Sequence, residues 1–173
     1  MKGRIILYSY QSTNKRVNRD QEIKNRLNDF YAGKADGKYN AKPMHTLRIL
    51  ILEDDLRAVS FLTNRIGQLE EESKDFDIAV TVLSEYTQVE EYINNTKMDF
   101  DIILLDRDCK SCGSFHALDF EKFGVEKIIS ISAISEWNEE AKKRGVTKVI
   151  LKDHDHIEDF ADQVVEEIKK IIN

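Results

Sequence analysis

Proline is almost missing from this chain: Pro43 is the single one among 173 residues. That argues against long ordered linkers and against proline-rich binding segments. Cysteine is nearly as scarce, and Cys109 and Cys112 stand only three positions apart. Two thiols that close make a poor structural staple, so a disulfide framework is excluded and a reducing, cytoplasmic setting is expected. No stretch approaches the roughly 18 apolar residues of a membrane span. Residues 1–10 have a basic start and a short apolar run, but residues 11–19 are too polar for the core and cleavage site of a secretory signal. Internal repeats and low-complexity tracts are lacking as well.

Charge is plentiful but unevenly placed. The chain carries a net charge of −6. Residues 1–48 hold eleven Lys and Arg against four Asp and Glu, whereas the remainder holds fifteen against twenty-eight. A basic head therefore precedes an acidic body. Residues 32–43 are turn-rich, polar and basic, and they predict a boundary between an extension, 1–45, and one domain, 46–173. In the extension, residues 4–10 have strand composition. Residues 20–31 read as a helix with Ile23, Leu27, Phe30 and Tyr31 on one face. No helix-turn-helix, zinc-finger or RNA-binding signature occurs there, so nucleic-acid binding is not expected. Packing against the acidic body, or docking an acidic partner, are the readings left for it.

After the boundary, strand and helix patterns alternate. Strands are expected at 47–52, 76–83, 102–105, 127–131 and 148–151. Helices are expected at 56–69, 87–95 (with Thr87 and Glu90 as a capping box), 117–123, 135–144 (stopped by Gly145) and 157–172. The run Ile102–Leu105 is apolar throughout, as in a strand covered on both faces of a parallel sheet. Phe160, Val164, Val165, Ile168 and Ile172 form a stripe on the last helix. Five strand–helix units and the right-handed crossover rule predict a doubly wound parallel α/β sheet.

In such sheets chemistry sits at the carboxyl ends of the strands. There the first strand carries Glu53, Asp54 and Asp55, the third Asp106 and Asp108, the fourth Ser132, and the fifth Lys152. Acid, acid, hydroxyl and amine in this order resemble the receiver domain of two-component response regulators, over residues 46–173. The resemblance implies the flavodoxin-like (βα)5 fold with strand order 2-1-3-4-5. It implies Asp106 as phosphoacceptor and Mg²⁺ held by Glu53, Asp54, Asp106 and the backbone carbonyl of Asp108. Ser132 and Lys152 would attend the phosphoryl group. The implied partners are a histidine kinase or phosphotransfer protein and a downstream protein in a phosphorelay, and the chain would be a signalling phosphoprotein more than an enzyme. A carboxylate that attacks phosphorus needs a divalent cation and further donors, which is the chemical reason for this set. The plainer reading of the first acidic run is that it caps the helix that follows.

Four residues depart from the receiver pattern. Asp153 stands where a proline usually follows the lysine, Lys110 and Gly113 alter the loop after the phosphoacceptor, and Val149 occupies the aromatic switch position. In the altered loop Cys109, Cys112 and His116, together with His154 and His156, make the ligand inventory of a tetrahedral Zn²⁺ site. A thiol–disulfide switch of the two cysteines is a further reading. The chain ends directly after the last helix, so no output domain is expected. Two other readings compete. One is a degenerate receiver used as an unphosphorylated interaction scaffold. The other is a Toprim-like Mg²⁺-dependent nucleic-acid enzyme, whose pattern Glu53, Asp106 and Asp108 also resemble, although Asp54 stands where that family has glycine.

Overall fold

A strand without polar alternation must be covered on both faces, and all four residues of Ile102–Leu105 are fully buried. The computed structural model describes residues 45–73, 75–109 and 113–172, together with Gln21, Lys24 and Asn25, which are helical. The strand expected at 4–10, most of the helix at 20–31 and the boundary at 32–43 lie outside the described residues.

The main sheet contains β1 (His45–Leu52), β2 (Phe76–Leu83), β3 (Ile102–Leu105), β6 (Ile128–Ser130) and β7 (Lys148–Val149). All neighbours are parallel, in the order β2-β1-β3-β6-β7. Counting only these five strands, this is the expected order 2-1-3-4-5. A two-stranded hairpin, β4 (Asp108–Cys109) and β5 (Gly113–Ser114), is inserted after β3.

The two-residue period of each strand sorts its apolar side chains into two cores. Ile49 and Ile51 of β1 and Ile102 and Leu104 of β3 pack with α1 (Leu56–Glu72) and α5 (Ile157–Ile172). Leu50, Leu52, Ile103 and Leu105 face the other way, onto Val89, Phe115, Phe120 and Ala141. The apolar stripe of α5 lies as expected, with Phe160, Val164, Val165 and Ile168 buried. Each such side chain contributes about 1.5–3 kcal/mol when fully covered.

The second core is built from shorter, less regular pieces than expected. Thr87 and Glu90 form no capping box. Helix α2 (Tyr86–Gln88) has Glu85 at its N-cap without a side-chain bond, and it runs into a π-helical turn, Val89–Ile93. The Asn94 amide donates to the Val89 carbonyl, and the Lys122 ammonium caps the freed carbonyls of Ile93, Asn94 and Thr96. The helix expected at 117–123 is a 3₁₀ turn, Phe115–Ala117, followed by α3 (Phe120–Phe123). Asp119 accepts from the Lys122 amide and thereby starts α3 one turn late. Helix α4 (Ser135–Lys143) ends before Gly145, whose φ of 99° is the left-handed conformation that favours glycine.

Register aligns the strand ends. Leu52 pairs with Leu105, Leu105 with Ser130, and Ser130 with Val149. Hydrogen bonds continue past these pairs, from the Asp106 amide to the Leu52 carbonyl and from the Lys152 amide to the Ser132 carbonyl. Glu53, Asp106, Ser132 and Lys152 are therefore delivered to one edge by backbone pairing.

Candidate functional site

Buried charge survives only when it is paired, and the four polar residues at this edge pair with one another. Glu53, Asp106, Ser132 and Lys152 are all buried. The Asp106 carboxylate is held by three donors. The Ser132 hydroxyl donates to Oδ1 at 2.7 Å, the Arg107 amide donates to Oδ1 at 2.6 Å, and Lys152 Nζ donates to Oδ2 at 2.6 Å. Lys152 Nζ also donates to Glu53 Oε2 at 2.8 Å, so a single ammonium bridges two carboxylates. The second Glu53 oxygen accepts from the Asp55 amide at 2.9 Å.

Burial, reinforced by the neighbouring Asp106 charge, pushes the Glu53 carboxyl up from 4.5 to about 7, against the pull of Lys152. For Lys152, burial alone would lower the pKa. The Glu53 and Asp106 charges and hydrogen bonds outweigh it and leave the ammonium above its ordinary value.

Glu53, Asp54 and Asp106 each present a carboxylate oxygen within 4.8 Å of the others. An all-oxygen set of this kind fits a hard divalent cation such as Mg²⁺. Asp55 does something else: its side chain accepts from the Arg57 amide and caps α1. The acidic run is thus divided, with Glu53 and Asp54 at the cation-sized space and Asp55 on the helix. Asp108 is not part of the carboxylate group; its Oδ1 pairs with Arg107 Nη1 at 3.1 Å.

Among the described residues the zinc inventory is not assembled. Cys112 lies outside the described residues. Among the described ones, no three of Cys109, His116, His154 and His156 offer ligand atoms to a common point. Cys109 is buried, with its thiol on the Ser84 carbonyl at 3.4 Å. His116 is buried with Nδ1 3.3 Å from Glu140. His154 and His156 are exposed, near Asp55 and Asp153 respectively. Each of these four described residues thus has a local partner.

Two contributors carry no sequence motif. Asn138, buried in α4, accepts from the Ser130 hydroxyl at 2.6 Å and donates to the Ser132 carbonyl at 3.2 Å, which fixes the loop holding Ser132. Arg107 spans from the Asp106 loop to α4, where its guanidinium lies 5.0 Å from the Trp137 ring centre and Nε is 3.6 Å from Glu140. Nothing local in the sequence marks either residue.

No family model and no curated protein matches the chain. Solved structures do. The phosphorylated cyanobacterial phytochrome response regulator RcpA aligns with 72% of this chain and 92% of its own, at 14% identity and a TM-score of 0.54. The non-phosphorylated HemR receiver domain of Leptospira biflexa covers 73% and 94%, at 19% identity and 0.54. The response regulator TrrA of Thermotoga maritima, in complex with Mg²⁺–BeF, covers 72% and 98%, at 16% identity and 0.50. At these identities the likeness is one of fold: residues from about 45 onward adopt the receiver fold.

Proposed function

We propose that this chain is a receiver-like signalling module that accepts a phosphoryl group on Asp106 in a Mg²⁺-dependent reaction and thereby changes its contacts with proteins. The observation that carries this reading is the Asp106 carboxylate. It is held at once by Ser132 and Lys152 and shares a cation-sized space with Glu53 and Asp54. The complexes of similar fold with a phosphoryl group or Mg²⁺–BeF lend it support.

In the proposed step an Asp106 oxygen attacks phosphorus. A P–O bond forms, and the bond from phosphorus to the donor breaks, its electron pair leaving with the donor. Bound by Glu53, Asp54, Asp106 and the Asp108 carbonyl, Mg²⁺ would neutralise the crowded negative charge. Lys152 pairs with the attacking carboxylate and is placed to pair with a phosphoryl oxygen, while Ser132 can redirect its hydroxyl from Asp106 to that group. A histidine kinase or phosphotransfer protein is the donor this chemistry fits, in a cytoplasmic two-component phosphorelay, with a downstream protein reading the product. No described helix is long and apolar enough to cross a membrane.

The two competing readings gain no support. A Toprim-like enzyme gives no role to Ser132 or Lys152, and a pure scaffold gives no reason to bury two carboxylates around one ammonium. Titration with Mg²⁺ and beryllofluoride tests the proposal. Saturable, mutually dependent binding is expected in the wild type, and it should be lost in Asp54→Ala. No Mg²⁺-dependent binding of beryllofluoride to the wild type would overturn it.

A further inference from the structure

The usual aromatic reporter is replaced by Val149, which has no ring to rotate and packs against the second core. A signal from Asp106 must leave the site by another route. Two residues that contact Asp106 also reach α4. Ser132 does so through Asn138, whose side chain bonds to the Ser132 backbone and the Ser130 hydroxyl. Arg107 does so directly. Its amide donates to Asp106 Oδ1 while its side chain crosses to Trp137 and Glu140 on α4.

The Arg107 contacts are loose for a guanidinium. Nε is buried without a hydrogen-bond partner, and the nearest carboxylate oxygen, on Glu140, is 3.6 Å away, beyond hydrogen-bond range. Nη1 pairs with Asp108, a neighbour on the same loop. Glu140 in turn leans on His116 Nδ1 at 3.3 Å, and burial holds that imidazole below its ordinary pKa, toward the neutral form. An under-bonded, planar, five-donor cation next to an anion acceptor is suited to exchange a poor carboxylate contact for a phosphoryl group.

Resting on the phosphoacceptor reading, we propose that Arg107 is the positioning residue that carries the state of Asp106 to α4. In the unmodified protein it ties α4 to the Asp106 loop through Glu140 and Trp137. A phosphoryl group on Asp106 draws the guanidinium away and loosens α4. The new interface is then the α4 face bearing Trp137 and Glu140.

Trp137 is the single tryptophan of the chain, so its fluorescence reports the guanidinium stacked on it. The full chain is treated with acetyl phosphate and Mg²⁺, and the phosphorylated fraction is followed by intact mass. Trp137 emission and amide exchange over Ser135–Lys143 are measured on the wild type, Arg107→Gln, Arg107→Lys and Glu140→Gln. In the wild type, phosphorylation is expected to change emission and raise exchange in α4 several-fold. Phosphorylated Arg107→Gln is expected to lack this response, and Arg107→Lys to regain part of it. Glu140→Gln should show raised exchange before phosphorylation. A response of wild-type size in phosphorylated Arg107→Gln, or no α4 response in phosphorylated wild type, would overturn the relay. Failure of the wild type to gain a phosphoryl group at all would instead remove the phosphoacceptor reading on which the relay rests.

Discussion

Glu53 offers a quantitative test of how the site holds its charges. Its carboxyl is raised from 4.5 to about 7, first by burial and then by Asp106. A tenfold change in proton affinity corresponds to ~1.4 kcal/mol, so ionising Glu53 in the metal-free fold costs on the order of 3 kcal/mol more than in the unfolded chain. The folded carboxyl keeps its proton through a window in which the unfolded one has lost it. Stability should therefore fall as pH rises from about 4.5 to about 7 and stay level above that. Glu53→Gln cannot ionise and leaves Lys152 paired with Asp106. Denaturant unfolding of both metal-free proteins, at pH values from about 5 to about 8.5, isolates the contribution as a difference. That difference should drift in favour of the variant by about 3 kcal/mol across the window. Added Mg²⁺ should stabilise the wild type increasingly as pH rises, because the cation needs the ionised carboxylate. A pH-independent difference between the two proteins would refute the claim that Glu53 is held with a raised pKa.

Three further substitutions probe what surrounds it. Lys152→Met strands two buried carboxylates and should cost about 3–5 kcal/mol in chemical denaturation, with the loss growing as pH rises. Asn138→Ala leaves the Ser130 hydroxyl and the Ser132 backbone without their partner. It should cost about 1–3 kcal/mol, and hydrogen exchange should rise first in the β6–α4 loop. Gly113→Ala would put a methyl 1.8 Å from Tyr86 Cδ1, so the ring or the hairpin must move. An expected loss of about 1–3 kcal/mol should largely vanish when the same change is made in Tyr86→Ala.

Sequence exposed the elements whose chemistry is local. Ile102–Leu105 announces a doubly covered strand because four apolar residues in a row leave no face for water. The α5 stripe announces itself by its helical period. Once five strands run parallel, carboxyl-terminal residues must share an edge, which is why Glu53, Asp106, Ser132 and Lys152 were legible together. Contacts that depend on tertiary placement were not. Nothing local distinguishes Asn138, which is buried, from the exposed Glu139 beside it, and only the fold turns one toward Ser132. The π-helical turn at Val89–Ile93 is stabilised from across the second core by Lys122, 29 positions beyond Ile93 in sequence. The clustered cysteine and histidine residues suggested zinc because spacing carries no direction; in the fold Cys109 turns to Ser84 and His116 to Glu140.

Intact-mass analysis with a small-molecule phosphodonor addresses the site's chemistry most directly. With acetyl phosphate and Mg²⁺, the wild type should gain the mass of one phosphoryl group, labile to base as an acyl phosphate. The gain should disappear with chelator and in Asp106→Asn. No gain in the wild type, under conditions that phosphorylate an ordinary receiver domain, or a gain that persists in Asp106→Asn, would contradict Asp106 as the phosphoacceptor.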